Sequence, residues 1–205
     1  MAARERKRGG KSLKRITAKR PELRTIMVFC EGLNSEPDYV KALKKLPHIA
    51  ENTALDLRIH PEQGVPLTLV TKAMEHKRDP EIDECWCLFD VEWPQHHPNL
   101  HEAVKLAKSN GINLAISNPC FELWLILHFQ DHHAFAHTGP AEKLSRQLDG
   151  RSGKRLDATV YMPLRKKAAW RAKNLDMRHE RDGTPFPHNN PSSGMYKFLQ
   201  ELEAE

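Results

Sequence analysis

The chain predicts an α/β fold built on a mainly parallel sheet flanked by helices. Three observations predict it. Apolar runs of strand length alternate with stretches of helical periodicity. The joints between them carry helix start and stop residues such as Ser35, Pro66 and the pair Asn110-Gly111. Two of the apolar runs end in acids, a pattern that open α/β sheets use to build sites outside their strand ends.

The elements follow in order. Residues 25–30 (TIMVFC) read as a buried strand. Ser35 is placed as an N-cap and Pro37 fits the first turn, while Tyr39, Leu43 and Leu46 mark the apolar stripe of a helix. Residues 55–59 (LDLRI) alternate apolar and polar, as in a less buried strand. Pro66 opens a helix running to about Lys77, and residues 85–89 (CWCLF) form the third strand. Residues 99–110 are helical, with Asn110-Gly111 as the stop. Residues 112–116 (INLAI) make a fourth strand and 119–129 a strongly apolar helix. Such alternation implies βαβ units with right-handed crossovers.

Beyond Phe129 the pattern weakens. Residues 131–139 read as a His-rich loop, residues 150–153 and 182–191 as linkers, and helices are expected at 140–148, 164–177 and 195–205. The chain thus divides into a basic disordered tail (1–21), an α/β core (22–130) and a helical extension packed on it (131–205).

Composition narrows the class. Charged residues make up 29% of 205. The longest apolar segment, near 123–127, falls well short of the ~18 residues a membrane span needs, so no membrane association is expected. Residues 1–20 are basic but carry no apolar stretch, so neither a signal nor a transit peptide is expected. Cys30, Cys85, Cys87 and Cys120 all sit in apolar surroundings, which suits buried reduced thiols in a cytoplasmic protein. The Cys85-Trp86-Cys87 spacing is wrong for structural zinc. Nine Lys/Arg and one acid fall within residues 1–20, so the net charge of +5 belongs to the tail and the remaining 185 residues carry −3. That tail is either a solvated arm or a loose contact to phosphate backbones.

The acids carry the chemistry. Glu31-Gly32 follows the first strand, and Asp90-Val91-Glu92 follows the third. Carboxylates suit the end of a buried strand poorly unless a cation needs them, so both runs point to one shared metal site. Asp90 and Glu92 are two apart, and in an extended chain they share one face. Mg²⁺ (or Mn²⁺) takes one or two carboxylates and keeps positions open for substrate phosphate. Glu31 either binds the same cation or accepts a proton. Glu122, near a helix start, is a further ligand or simply an acid favoured by the helix dipole. Asn118 is expected to cap that helix, with substrate contact as the alternative, and Trp124 to pack in the core.

Histidines add less. The pairs His96-His97 and His132-His133 read as surface loops, with His97 close enough to the acids to shuttle a proton. There is no P-loop, no Gly-x-Gly-x-x-Gly and no Gly-x-Ser-x-Gly elbow, so nucleotide hydrolysis and serine hydrolase chemistry lack support. Arg165, Lys166, Lys167, Arg171, Lys173 and Arg178 surround Trp170. That stretch is a nucleic-acid contact with a stacking ring, or a solvated helix with Trp170 in the core. The 150–155 loop (GRSGKR) adds Lys154 to the candidate nucleic-acid contacts, with Arg165, Lys166 and Arg171.

Three stretches together resemble one family. Val28-Phe29-Cys30-Glu31-Gly32 followed by Ser35-Glu36-Pro37-Asp38-Tyr39, then residues 117–129 (SNPCFELWLILHF), then Asn190-Pro191-Ser192-Ser193, resemble the RloB-like proteins of prokaryotic defence. The resemblance implies a Toprim-like domain, whose pattern is a strand-end Glu and a later Asp-x-Asp. It implies Mg²⁺-dependent cleavage of RNA (tRNA included) or DNA by an effector of abortive-infection antiviral defence, with a separately encoded ATPase as partner. It maps Glu31, Asp90 and Glu92 onto the three acids. Glu92 departs from the pattern: one extra methylene shifts a ligand by roughly 1.5 Å. That departure leaves open an alternative of another class, a catalytically inactive binding or sensor module working with the ATPase.

Overall fold

The computed structural model describes residues 23–52, 54–153 and 155–203. The tail 1–21 and Lys154 lie outside the described residues. Four strands run parallel: β1 (Arg24–Cys30), β2 (Leu55–Ile59), β3 (Glu84–Asp90) and β4 (Asn113–Asn118). A two-residue strand, β5 (Ser192–Ser193), pairs antiparallel with β4 at the edge, giving the order β2-β1-β3-β4-β5. The helices are α1 (Ser35–Lys44), α2 (Pro47–Ala50), α3 (Pro66–His76), α4 (Leu100–Ser109), α5 (Phe121–Phe129), α6 (Thr138–Asp149), α7 (Arg165–Arg181) and α8 (Met195–Leu202).

The apolar runs of β1 and β3 explain why the sheet is covered twice. Alternate side chains of a strand point to opposite faces, and both sets here are apolar. Ile26, Val28, Trp86 and Leu88 pack with α1, α5, α7 and α8. Phe29, Cys85, Cys87 and Phe89 pack with α3 and α4. Helices α7 and α8 therefore share the core of the sheet, while α6 packs on α5 in a separate small cluster. All four cysteines are buried free thiols. No helix among the described residues is long and apolar enough to cross a membrane.

The chain leaves β1 outward to β2 and then crosses back to β3, so the sheet reverses direction between β1 and β3. Ligand sites of open α/β sheets lie at such a switch point. The two strands are direct neighbours, and the ladder extends one step further through Glu31 N–H donating to Leu88 O at 3.0 Å.

Several local expectations change. Ser35 is the first residue of α1 and Asn34 occupies the cap position, with no side-chain cap bond. Leu46 lies beyond α1, because Pro47 opens the separate α2. Pro119 and Cys120 precede α5, so Glu122 sits in its first turn, second residue in. Asn118 caps nothing: its buried amide accepts from Trp93 Nε1 at 2.7 Å and donates to Pro187 O at 2.8 Å. Segment 182–191 is pinned rather than a linker, since the buried Asn190 side chain accepts from Ala136 N and donates to Ala136 O. After β5, a Cβ at Gly194 would stand 3.0 Å from Ile116 N, so glycine permits that close approach. Gly111, with φ at 62°, ends α4 as the sequence suggests.

One polar network lies inside the core. The Tyr39 hydroxyl donates to His128 Nε2 at 3.0 Å, and His128 Nδ1 donates to Trp124 O at 2.8 Å. Burial pushes the His128 imidazole down to about 4, so it stays neutral in the fold. Tyr39→Phe leaves a buried acceptor without its donor and is expected to cost about 1–3 kcal/mol at pH 7, read by urea denaturation. Because an unfolded histidine titrates near 6.5, the His128 contribution is present above that pH and is lost as pH falls towards 4. His128→Gln is expected to remove that component of the acid destabilisation.

Candidate functional site

A cleft of about 380 Å³ opens at the switch point. Its walls carry Glu31, Glu36, Asp90, Glu92, Glu122 and Glu142, together with Arg146 beside Glu142 and Arg151 beside Glu122. Three of these acids, Glu31, Asp90 and Glu92, are the strand-end residues singled out in the sequence, and Glu122 arrives from the start of α5. Asn118 does not reach this cleft.

Each acid is held differently. Glu31 is engaged on both oxygens: Oε2 accepts from Asp90 N–H at 2.9 Å, and Oε1 lies 2.6 Å from His97 Nε2. The Glu31 carboxylate raises the His97 pKa, favouring the imidazolium. Asp90 closes β3, and no hydrogen bond among the described residues involves its carboxylate. Burial first, then the charges of Glu36, Glu31, Glu122 and Glu92, push the Asp90 carboxyl well above the usual carboxylate range.

Glu92 does not continue the strand. Its φ is 66°, in the left-handed region where a non-glycine residue costs about 1–3 kcal/mol. The turn is fixed by Val91 N–H donating to Ser117 O and Glu92 N–H donating to Pro119 O, both at 2.9 Å. Thr138 of α6 then donates its hydroxyl to Glu92 Oε2 at 2.7 Å and accepts from Trp93 N–H at 3.1 Å. The extended Asp90–Glu92 geometry expected from the sequence is thus replaced by a braced turn. Both carboxylates still line the cleft. Burial raises the Glu92 carboxyl, and the Thr138 hydroxyl partly offsets this.

The sequence reading missed Glu36. Its side chain is buried, at 6% exposure, and packs over Gly32, whose N–H donates to Glu36 Oε1 at 3.2 Å. A Cβ on Gly32 would stand 2.3 Å from Glu36 Oε2, so the glycine makes room for the carboxylate. Burial, with Glu122 and Glu31 nearby, pushes Glu36 up to about 7. The available signal was its place five residues after a strand-end acid, inside the Ser35-Glu36-Pro37 motif.

Arg151 was also read differently, as part of a flexible basic loop. Its side chain is 9% exposed and locked by Asp149, by Ser145 Oγ at 3.0 Å and by Tyr161 Oη at 3.3 Å, with Glu122 3.6 Å away. Two of the candidate nucleic-acid contacts are engaged within the protein. Arg171, 8% exposed, binds Asp131 and the carbonyls of Leu127 and His128. Arg165 binds Glu203 and Met162 O. Lys166 remains exposed, and Trp170 lies outside the core at 62% exposure.

A divalent cation suits this donor set in kind, because the hard carboxylate oxygens lining the cleft outnumber its two arginines. Among the described residues, no three His, Cys, Asp or Glu side chains are arranged to hold a metal by themselves. Mg²⁺ does not need such a cage, since one or two carboxylates and its own waters suffice. The Asp90 carboxylate, which makes no hydrogen bond among the described residues, would be free to anchor it, and Glu36, Glu92 and Glu122 line the same cleft. Above pH 7 the fold holds Glu36 ionised at a cost that acidification relieves, because its carboxyl titrates higher folded than unfolded. Glu36→Gln is therefore expected to stabilise the metal-free protein at pH 8 by on the order of 2 kcal/mol, with the gain fading near pH 4.5. Calorimetry at the two pH values measures it.

No curated protein and no solved structure matches the chain. The family model described as RloB-like protein matches residues 26–202, from β1 through the cleft acids to the end of α8. This chain belongs to the RloB-like protein family.

Proposed function

We propose that the protein is a Mg²⁺-dependent nuclease of Toprim type, cleaving RNA (tRNA included) or DNA as a cytoplasmic effector of antiviral abortive infection. The observation that carries the reading is the meeting of Glu31, Glu36, Asp90, Glu92 and Glu122 in one cleft at the β1–β3 switch point. A bound Mg²⁺ supplies a counter-charge for the phosphodiester and a position for the attacking water. Asp90 would anchor the cation, with Glu92 or Glu36 sharing it. Glu31 orients the Asp90 backbone through Oε2 and, through Oε1, holds His97 ready to exchange a proton with the reacting oxygens. The Toprim assignment and the partner ATPase rest on the family resemblance alone.

A second reading has its own support. Glu92 stands where the Toprim pattern has Asp, on a turned backbone, and both Glu31 oxygens are engaged. Those features suit a sensor module that binds without cutting and reports to an ATPase.

Purified protein incubated with RNA or DNA in Mg²⁺, Mn²⁺ or EDTA separates the two. The nuclease reading expects metal-dependent cleavage that falls roughly 100-fold or more in Glu31→Gln and in Asp90→Asn. It also expects Mg²⁺ to raise the melting midpoint of the wild-type chain and not that of Asp90→Asn. Cleavage undiminished in both variants rejects it. Stabilisation by Mg²⁺ with no cleavage, alone or with the ATPase co-expressed, favours the sensor.

A further inference from the structure

Helix α7 presents a surface that neither the core nor the cleft uses. It carries seven Lys/Arg and two acids. Four of the seven have carboxylate partners: Arg165 with Glu203, Arg171 with Asp131, and Arg178 and Arg181 with Asp182. Lys166, Lys167 and Lys173 are exposed, and among the described residues none has a carboxylate within ion-pair distance. Lys166, Trp170, Lys173 and Met177 follow one another at i, i+4, i+7 and i+11, which places them on one helical face. Lys166 and Lys173 are about 10 Å apart along the axis. Trp170 stands between them at 62% exposure, although tryptophan is normally well covered. Beside its ring, a groove of about 320 Å³ runs between α7 and α8, floored by Ala169 and Leu199. Glu203, at the end of that groove, is already engaged by Arg165.

We propose that this face of α7 binds single-stranded nucleic acid, with a base stacked on Trp170 and neighbouring phosphates on Lys166 and Lys173. An exposed aromatic ring between unpaired cations matches a polyanion whose bases offer flat faces. A protein partner or second copy of this chain would call for a broader apolar patch than one ring and one methionine. A duplex keeps its base faces covered, so the ring selects an unpaired strand. The proposal takes from the reading above only that nucleic acid is the substrate, and it needs no metal.

The test is fluorescence polarisation of a labelled oligo(U) or oligo(dT) with the full chain in EDTA, across a salt series. Trp170→Ala is expected to weaken binding roughly 10-fold or more, while Trp170→Phe keeps most of it. The double change Lys166→Ala, Lys173→Ala is expected to lower the slope of log affinity against log salt by about 1.4. Trp170→Ala, Trp170→Phe and the double lysine variant are all expected to melt within a degree or two of the wild type. No binding by the wild type, or unchanged affinity in Trp170→Ala, overturns the proposal. So does self-association that Trp170→Ala abolishes without altering oligonucleotide binding. If binding needs Trp170 but no cleavage is found, this inference stands and the nuclease reading falls. Cleavage that needs Asp90, with affinity indifferent to Trp170, gives the reverse.

Discussion

Like charges held against one another are the condition on which this molecule turns. Glu36, Asp90 and Glu92 each have carboxyls raised by burial and by neighbouring acids. In water such repulsion would disperse the groups. Here strands and helix starts fix their positions, so the energy is stored in the fold. Against a typical stability of about 5–15 kcal/mol such an arrangement is costly, and strongly perturbed groups of this kind mark candidate functional sites.

The scaffold tolerates this because its apolar parts are arranged to oppose it. β1 and β3 are buried on both faces and adjacent in the sheet, so the residues that follow them share a location whatever their charge. The left-handed turn at Glu92 is braced from three directions, by Ser117, Pro119 and Thr138. Two of those braces lie at the β4–α5 junction and one on α6. Helix α6 thus helps complete the cleft, and with the loop after it also brings Arg146 and Arg151 to the lining.

Strands and their terminal acids were legible in the sequence because unbroken apolar runs are rare and their ends are marked. Glu31, Asp90 and Glu92 could be singled out on that ground alone. Glu36 could not, since an acid in a first helical turn already has an ordinary explanation in the helix dipole. The roles of Arg165 and Arg171 depend on Glu203 and Asp131, each about forty positions away, and local pattern carries no trace of such partners. The side of α7 that Trp170 takes was ambiguous for a related reason: the helix is charged nearly all round and its apolar stripe, Ala168, Ala172 and Leu175, is narrow. Strand β5 is two residues long, too short for any periodicity.

The central claim is that these carboxylates form a divalent-cation site anchored by Asp90. Its most direct measurement is an anomalous difference map from crystals of the metal-free protein soaked in Mn²⁺. The account predicts a peak in the cleft within coordinating distance of the Asp90 carboxylate and of at least one of Glu36 and Glu92. A clean map in that cleft at saturating Mn²⁺, with the Asp90 side chain unmoved, would contradict it.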